Sequence, residues 1–251
     1  MKAAVVYLAQ AKPKCMQKLS RSLKLLQQNL LRSYSYPVVL FHEGDFTSDI
    51  QQSLRGICPT IEFREVDISP PPWIDCSDSA NWAMRKSHGL GYNNMCRFFT
   101  IGIYEHLQDF DYYMRLDDDS YIQSPFLADP FVFMRDNGKE YGFRGKAKES
   151  RAAIQGLKKC LEDFDPRIKM LSEPTRVYYT NFHMARTQMW SSEPMRGALR
   201  CIDRNGGIYK KRWGDAPIHT LLLPAYLQSN QIHRFTDFAY QHGRYRWPAG
   251  K

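Results

Sequence analysis

Three consecutive carboxylates, Asp117-Asp118-Asp119, are the residues whose type and spacing most directly suggest chemistry. Adjacent acids repel, and that repulsion is costly unless a cation offsets it. Magnesium or manganese does so through one or two carboxylates, with diphosphate oxygens and water completing the shell. Taken in isolation, the run fits a solvated acidic loop better. Its position changes the balance. The acids follow Tyr112-Tyr113-Met114-Arg115-Leu116, which reads as a buried strand, and open α/β sheets bind ligands beyond the carboxyl ends of their strands.

The elements that must position these acids are legible upstream. Ala3 to Ala9 is an apolar run of the kind buried on both faces of a sheet. Leu19, Leu23, Leu26 and Leu30 recur at helical spacing over residues 15–33. Tyr36 to Phe41 is a second strand, residues 47–55 a helix, and Ile61 to Val66 a third strand. Strand, helix, strand, helix, strand predicts a parallel sheet with crossovers. Pro70-Pro71-Pro72-Trp73 starts a long connection, after which residues 91–108 resume as a helix. Further on, Tyr141-Gly142-Phe143 and Val177-Tyr178-Tyr179 read as short strands, and residues 193–204 and 217–227 as helices. The expected fold class is α/β over a single domain, residues 1–251. A Rossmann-like nucleotide half spans 1–120, and an acceptor and metal-completing half spans 121–251.

Composition narrows the partners. Hydrophobic residues make up 43% and charged residues 24% of 251 residues, ordinary for a globular chain. A net charge of +9 favours an anionic ligand. The cations are scattered, and the densest stretch, Arg144 to Arg151, suits a solvated segment as well as a binding patch. Clustered acids in a basic chain also admit a metal-dependent nucleic-acid enzyme. The cations do not gather round the acids and no second nuclease-like motif follows, so no nucleic acid is expected. Six cysteines without a C-x-x-C pair argue against a zinc ribbon, and permit either up to three disulfides or six thiols. No apolar run is long enough for a membrane span.

The longer motifs carry a resemblance. Tyr92 to Phe98 (YNNMCRF), Tyr112 to Asp119, Asn137 to Phe143 (NGKEYGF), Thr180-Asn181-Phe182, Gly206 to His219 (GGIYKKRWGDAPIH) and Ile232 to His242 occur in that order. Together they resemble the fungal α-1,2-mannosyltransferases (glycosyltransferase family fifteen), type II Golgi enzymes that use GDP-mannose. The first 90 residues match only in pattern. R-W-G-D-A-P-x-H is long enough to be specific, and the others gain weight by co-occurring. The resemblance implies a GT-A-like glycosyltransferase fold and a retaining hexosyltransferase that moves mannose from GDP-mannose to a glycan hydroxyl with Mn²⁺ or Mg²⁺. It also implies a Golgi lumen location if the chain is a fragment of an anchored enzyme; a complete chain would be cytoplasmic.

By the same resemblance Asp117 and His219 are the metal ligands, with His219 neutral at working pH. Asp118 restores a D-x-D that lets Asp119 share the ion through water, and Tyr92 and Arg97 are donor-binding candidates. An ordinary salt bridge competes for Arg97. Asp215 is either catalytic or the cap of the following helix. Trp73, Tyr179, Trp190, Tyr209 and Trp213 could offer sugar-stacking faces, Trp213 first among them. Two departures stand out. Asp118 replaces the family's proline in the acidic triplet, and His183 stands where a candidate catalytic glutamate follows Asn-Phe. A double displacement needs a carboxylate-like nucleophile, which leaves three options: front-face transfer, another acid such as Glu149 or Asp215, or a positioning role for His183. The departure also keeps open a non-catalytic nucleotide-sugar or glycan-binding protein, and a transferase for another donor sugar stays open because nothing in the matched motifs reads the hexose.

Overall fold

The computed structural model describes residues 1–77 and 89–250. β1 (Ala3–Leu8), α1 (Pro13–Leu26), β2 (Val38–His42), α2 (Ser48–Ile57) and β3 (Ile61–Glu65) form the expected alternation. Pro13 opens α1, where a missing N–H costs nothing. The helix runs on as a π-helical turn over Gln27–Leu31, which keeps Leu30 on the buried side. The Thr47 hydroxyl accepts from the Ile50 amide and caps α2. Part of the connection from Pro70 to the next helix lies outside the described residues. α3 (Leu90–Arg97) continues through a π turn and a 3-10 turn to His106. β4 (Tyr112–Leu116) and β5 (Ser120–Ile122) follow, separated by the acidic run.

The remaining elements are α4 (Pro130–Asp136), β6 (Tyr141–Phe143), β7 (Lys146–Lys148), α5 (Arg151–Ile154), α6 (Leu157–Glu162) and α7 (Pro166–Lys169). Then come β8 (Arg176–Tyr178), β9 (Phe182–Arg186), α8 (Thr187–Ser191), α9 (Glu193–Asn205), α10 (Gly207–Lys210) and α11 (Asp215–Tyr226). Three short strands close the chain: β10 (Ile232–Arg234), β11 (Tyr240–His242) and β12 (Tyr245–Trp247).

Seven strands form one mixed sheet in the order β10-β6-β9-β4-β1-β2-β3. β1 to β4 run parallel, as the alternation predicts, while β9 lies antiparallel between β4 and β6. The sheet therefore crosses residue 120 without a break. Alternate residues of each strand feed two apolar layers. Ala4, Val6, Val39, Phe41 and Tyr113 pack against α3, α9 and α11, and Val5, Tyr7, Val38, Leu40 and Met114 pack against α1 and α4. Arg115 alternates onto the first of these faces and is buried there. Arg144, from the basic stretch, is also buried; it donates to the carbonyls of Phe238, Phe235 and Pro248. No helix among the described residues is long and apolar enough to cross a membrane.

Candidate functional site

The carboxyl ends of β1 and β4 open onto a cleft of about 480 Å³. Leu8 and Ala9 form its floor, α3 contributes Tyr92 and Met95, and Asp117 and Asp118 stand at one wall. β4 delivers the acids there because Leu116 is its last buried residue and the chain turns at once. Ser120 Oγ accepts from the Asp117 amide at 3.1 Å and closes that turn.

Each acid has its own partners. Asp117 Oδ1 accepts from Arg115 Nε and Nη2 at 3.1 and 2.9 Å, and its Oδ2 accepts from the Asn181 amide. Asp119 is gripped from two sides, by Lys18 Nζ at 3.0 Å and by His242 Nε2 at 2.7 Å. Burial would raise Asp119, but the His242 and Lys18 contacts outweigh it and hold the group at about 2. Among the described residues no cation pairs with Asp118. Burial, then its two acidic neighbours, push it up to about 6.

His242 belongs to the acids although 125 residues separate it from Asp117 in the chain. β11 pairs antiparallel with β5, and the register sets His242 opposite Ser120. Its Nε2 also lies 3.7 Å from Asp117 Oδ2, while Nδ1 donates to the Tyr179 hydroxyl at 2.7 Å. Burial opposes charge on this ring, yet the bond to Asp119 and the field of both carboxylates raise its pKa above the ordinary histidine value. In the sequence His242 carries a single signal, its place at the end of the closing motif.

His219 sits elsewhere. It is wholly buried on α11, its Nδ1 3.3 Å from the Tyr141 hydroxyl and its ring 4.5 Å from that of Trp190. Burial pushes it down to about 4 against the pull of Asp215, so it is neutral as expected. The structure does not bring it to Asp117. His183 joins the same dry pocket from β9. Its Nδ1 donates to the Thr180 carbonyl at 3.0 Å, which leaves Nε2 to accept from the Tyr113 hydroxyl at 3.1 Å. That pairing specifies one neutral tautomer. Burial first, then His219 and Arg115, depress its pKa well below the usual range.

Asp215 lies under the site rather than in it. The Arg115 guanidinium bridges Asp215 and Asp117 and stacks 3.4 Å above the centre of the Phe99 ring. Burial opposes ionisation of Asp215, but Arg115 holds it at about 2. Gly214, not Asp215, is the N-cap of α11. Arg97 makes a bidentate pair with Asp203 of α9 at 2.8 and 2.9 Å, the salt bridge that competed with diphosphate contact. Glu149 pairs with Arg212 at 3.4 Å. Trp213 is buried, donates to the Gln155 carbonyl at 2.9 Å, and packs so closely on Gly207 that a Cβ there would overlap its ring. Trp190 and Tyr209 are buried too, Trp73 is exposed, and only Tyr179 of the stacking candidates touches the acidic cluster, through His242.

Among the described residues no three His, Cys, Asp or Glu side chains form a ready-made metal cage. The donor set still suits a manganese or magnesium ion carried in with a diphosphate. Such ions take few protein ligands and leave the rest of the shell to phosphate and water. Hard oxygens from Asp119 and Asp117 beside one imidazole match that chemistry.

The profile of the glycolipid 2-alpha-mannosyltransferases matches residues 1–249. The chain belongs to that family. The alpha-1,2 mannosyltransferase KTR1 of Saccharomyces cerevisiae is 28% identical over 89% of this chain and 64% of its own length. Glycolipid 2-alpha-mannosyltransferase 2 of Candida albicans is 28% identical over 90% of this chain and 56% of its own. The chain thus spans less than two thirds of these family members. The solved mannosyltransferase Ktr4p of S. cerevisiae superposes over the whole chain and 73% of its own, with a TM-score of 0.89 at 24% identity. Core-mannan synthase A of Aspergillus fumigatus, solved in its Mn/GDP form, covers the whole chain and 78% of its own, with a TM-score of 0.88 at 22% identity. The fold is the GT-A-like fold of these family structures.

Proposed function

We propose that the chain is a retaining α-mannosyltransferase that moves mannose from GDP-mannose to a hydroxyl of a glycan acceptor. The observation that carries this reading is the meeting of Asp117, Asp119 and His242 beside a cleft at the carboxyl ends of β1 and β4. Family membership and the Mn/GDP form of core-mannan synthase A support the choice of donor and ion. Asp119 and His242 hold the manganese, with Asp117 as the second carboxylate; the role first given to His219 passes to His242. The ion, when bound, neutralises charge on the departing GDP. Arg115 and Asn181 fix Asp117. Tyr92 walls the donor cleft.

The division of labour follows the same lines. The residues lining the cleft run from Leu8 to Asp118, which supports residues 1–120 as the nucleotide half. His242 supports the later half as the one that completes the metal site. No carboxylate from the second half lines the cleft, and His183 is sealed in the core. This favours front-face transfer, in which GDP leaves and the acceptor hydroxyl enters on one side of the sugar. His183 and Asp215 then act as positioning residues through Arg115 and β9. The Golgi lumen is the location this reading implies.

The test is a donor screen with the purified chain and Mn²⁺, scoring hydrolysis and transfer to simple mannosides. GDP-mannose turnover that disappears in Asp119→Ala and His242→Ala is the expected result. A folded chain that turns over no nucleotide sugar would sink the enzyme reading; if it still binds GDP with Mn²⁺, the site is a binding module.

A further inference from the structure

Away from the cleft, two helices bring a pair of sulfurs together. Cys160 on α6 and Cys201 on α9 are both partly exposed, and their Sγ atoms stand 3.8 Å apart. The Cys201 thiol donates to the Cys160 carbonyl at 3.3 Å, and Cys160 Sγ lies 4.0 Å from the Cys201 carbonyl. Each side chain therefore already lies over the other's helix. A disulfide needs a separation of about 2 Å, so closure asks for side-chain rotation and a small helix adjustment. Among the described residues no other two cysteine sulfurs touch, and Cys58 and Cys96 are buried.

We propose that Cys160 and Cys201 are a disulfide-forming site that staples α6 to α9 when the chain meets a small disulfide oxidant. With oxidised glutathione the exchange balances in two steps. One protein thiolate attacks a glutathione sulfur, expels glutathione thiolate and leaves a mixed disulfide. The second cysteine gives up its proton, attacks the protein sulfur of that bond and expels the second glutathione. Two thiols become one disulfide, two electrons pass to the oxidant, and both protons end on glutathione. Burial and the neighbouring Cys201 push Cys160 up to about 12, so the reaction quickens as pH rises.

The staple closes a loop between residues 41 apart, which restricts the unfolded chain. It also reaches the donor cleft indirectly. α9 carries Asp203, which holds Arg97 of α3, and α3 supplies Tyr92 and Met95 to the cleft wall. A fixed α9 steadies that wall without touching the ligand.

The test treats the full chain with oxidised glutathione at pH 8 and reads intact mass, a non-reducing peptide map and the melting midpoint. The expected result is a loss of about 2 Da with Cys160 and Cys201 in one linked peptide. The midpoint rises by on the order of 10 °C, reverses with a thiol reductant, and stays put in Cys160→Ser and Cys201→Ser. Oxidised chain in which both cysteines still alkylate, or pair with other cysteines, overturns the assignment. A Cys160–Cys201 bond that lowers the midpoint overturns the stapling role. The mass map is read on unaltered protein, so a serine variant that fails to fold leaves the result standing.

Discussion

Two histidine environments lie on either side of Arg115, and they could hardly differ more. His183 and His219 occupy a dry aromatic pocket, fully buried and neutral, among Tyr113, Tyr141 and Trp190. His242 sits beside the cleft against Asp119 and Asp117, which favour its proton. A motif selects a residue by neighbours in sequence, whereas a metal ion selects it by neighbours in space. The pocket histidines contact rings, hydroxyls and one carbonyl, and feel Asp215 and Arg115 through their charge. The rim histidine has two carboxylates within 4 Å.

The sharpest way to break this comparison is to remove one histidine from each side. His242→Ala should weaken Mn²⁺-dependent GDP binding on the order of 100-fold while the fold persists, read by calorimetry and circular dichroism. His219→Ala should cost about 2–4 kcal/mol of stability, as a truncated core side chain does, and leave Mn²⁺ affinity of the folded protein unchanged. The reverse pattern would return the ligand role to His219.

Acid separates the two sides next. His219 is held at about 4, below its unfolded value near 6.5, so its contribution is complete above pH 6.5. As pH falls towards 4 the unfolded chain takes up the proton first, and stability should drop by about 3 kcal/mol. Denaturant unfolding at pH 7 and pH 4.5 measures it, and His219→Gln should remove this part of the pH dependence. His242 has the opposite sign. Its pKa is raised, so in metal-free protein its contribution is full below pH 6.5 and fades as pH climbs through its folded value. Mn²⁺ must displace that proton, so its affinity should rise with pH across the same range.

Smaller changes at the rim sharpen the picture. Asp118 is raised to about 6 from an ordinary value near 3.8, so above pH 6 its forced ionisation works against the metal-free fold. Asp118→Asn should therefore stabilise metal-free protein at pH 7 by roughly 2 kcal/mol, measured by denaturant unfolding. Lys18 stands against Asp119 where a cation would approach. Lys18→Met should raise Mn²⁺ affinity by roughly 2–5-fold in a manganese titration, a small effect because the lysine is half exposed.

How much of this was legible follows from the range of each interaction. The parallel strands β1, β2 and β4 and the helix after β1 announce themselves through local periodicity, and Asp117 through its place after a buried strand. Arg97 reads equally well as a ligand contact or a salt-bridge residue, and only Asp203 decides for the salt bridge; Trp213 goes to the core through the Gln155 carbonyl. β9 could not be read from its neighbours. It enters the sheet antiparallel between β4 and β6, which sets His183 beside Arg115 and turns it into the core. His242 depends on a pairing of three-residue strands across more than a hundred residues, which leaves no periodic trace.

That pairing makes the site a matter of alignment. The seven-stranded sheet is complete by Arg234, eight residues before the imidazole that serves the acids. A chain interrupted between those points would keep the seven strands but lose Tyr240 from the core and the Pro248 carbonyl from Arg144. A slip of one residue between β11 and β5 would turn His242 to the opposite face with nearly the same hydrogen bonding. Tyr240 shares the His242 face of β11 and is buried, so the register that brings His242 to the acids is also one the core enforces.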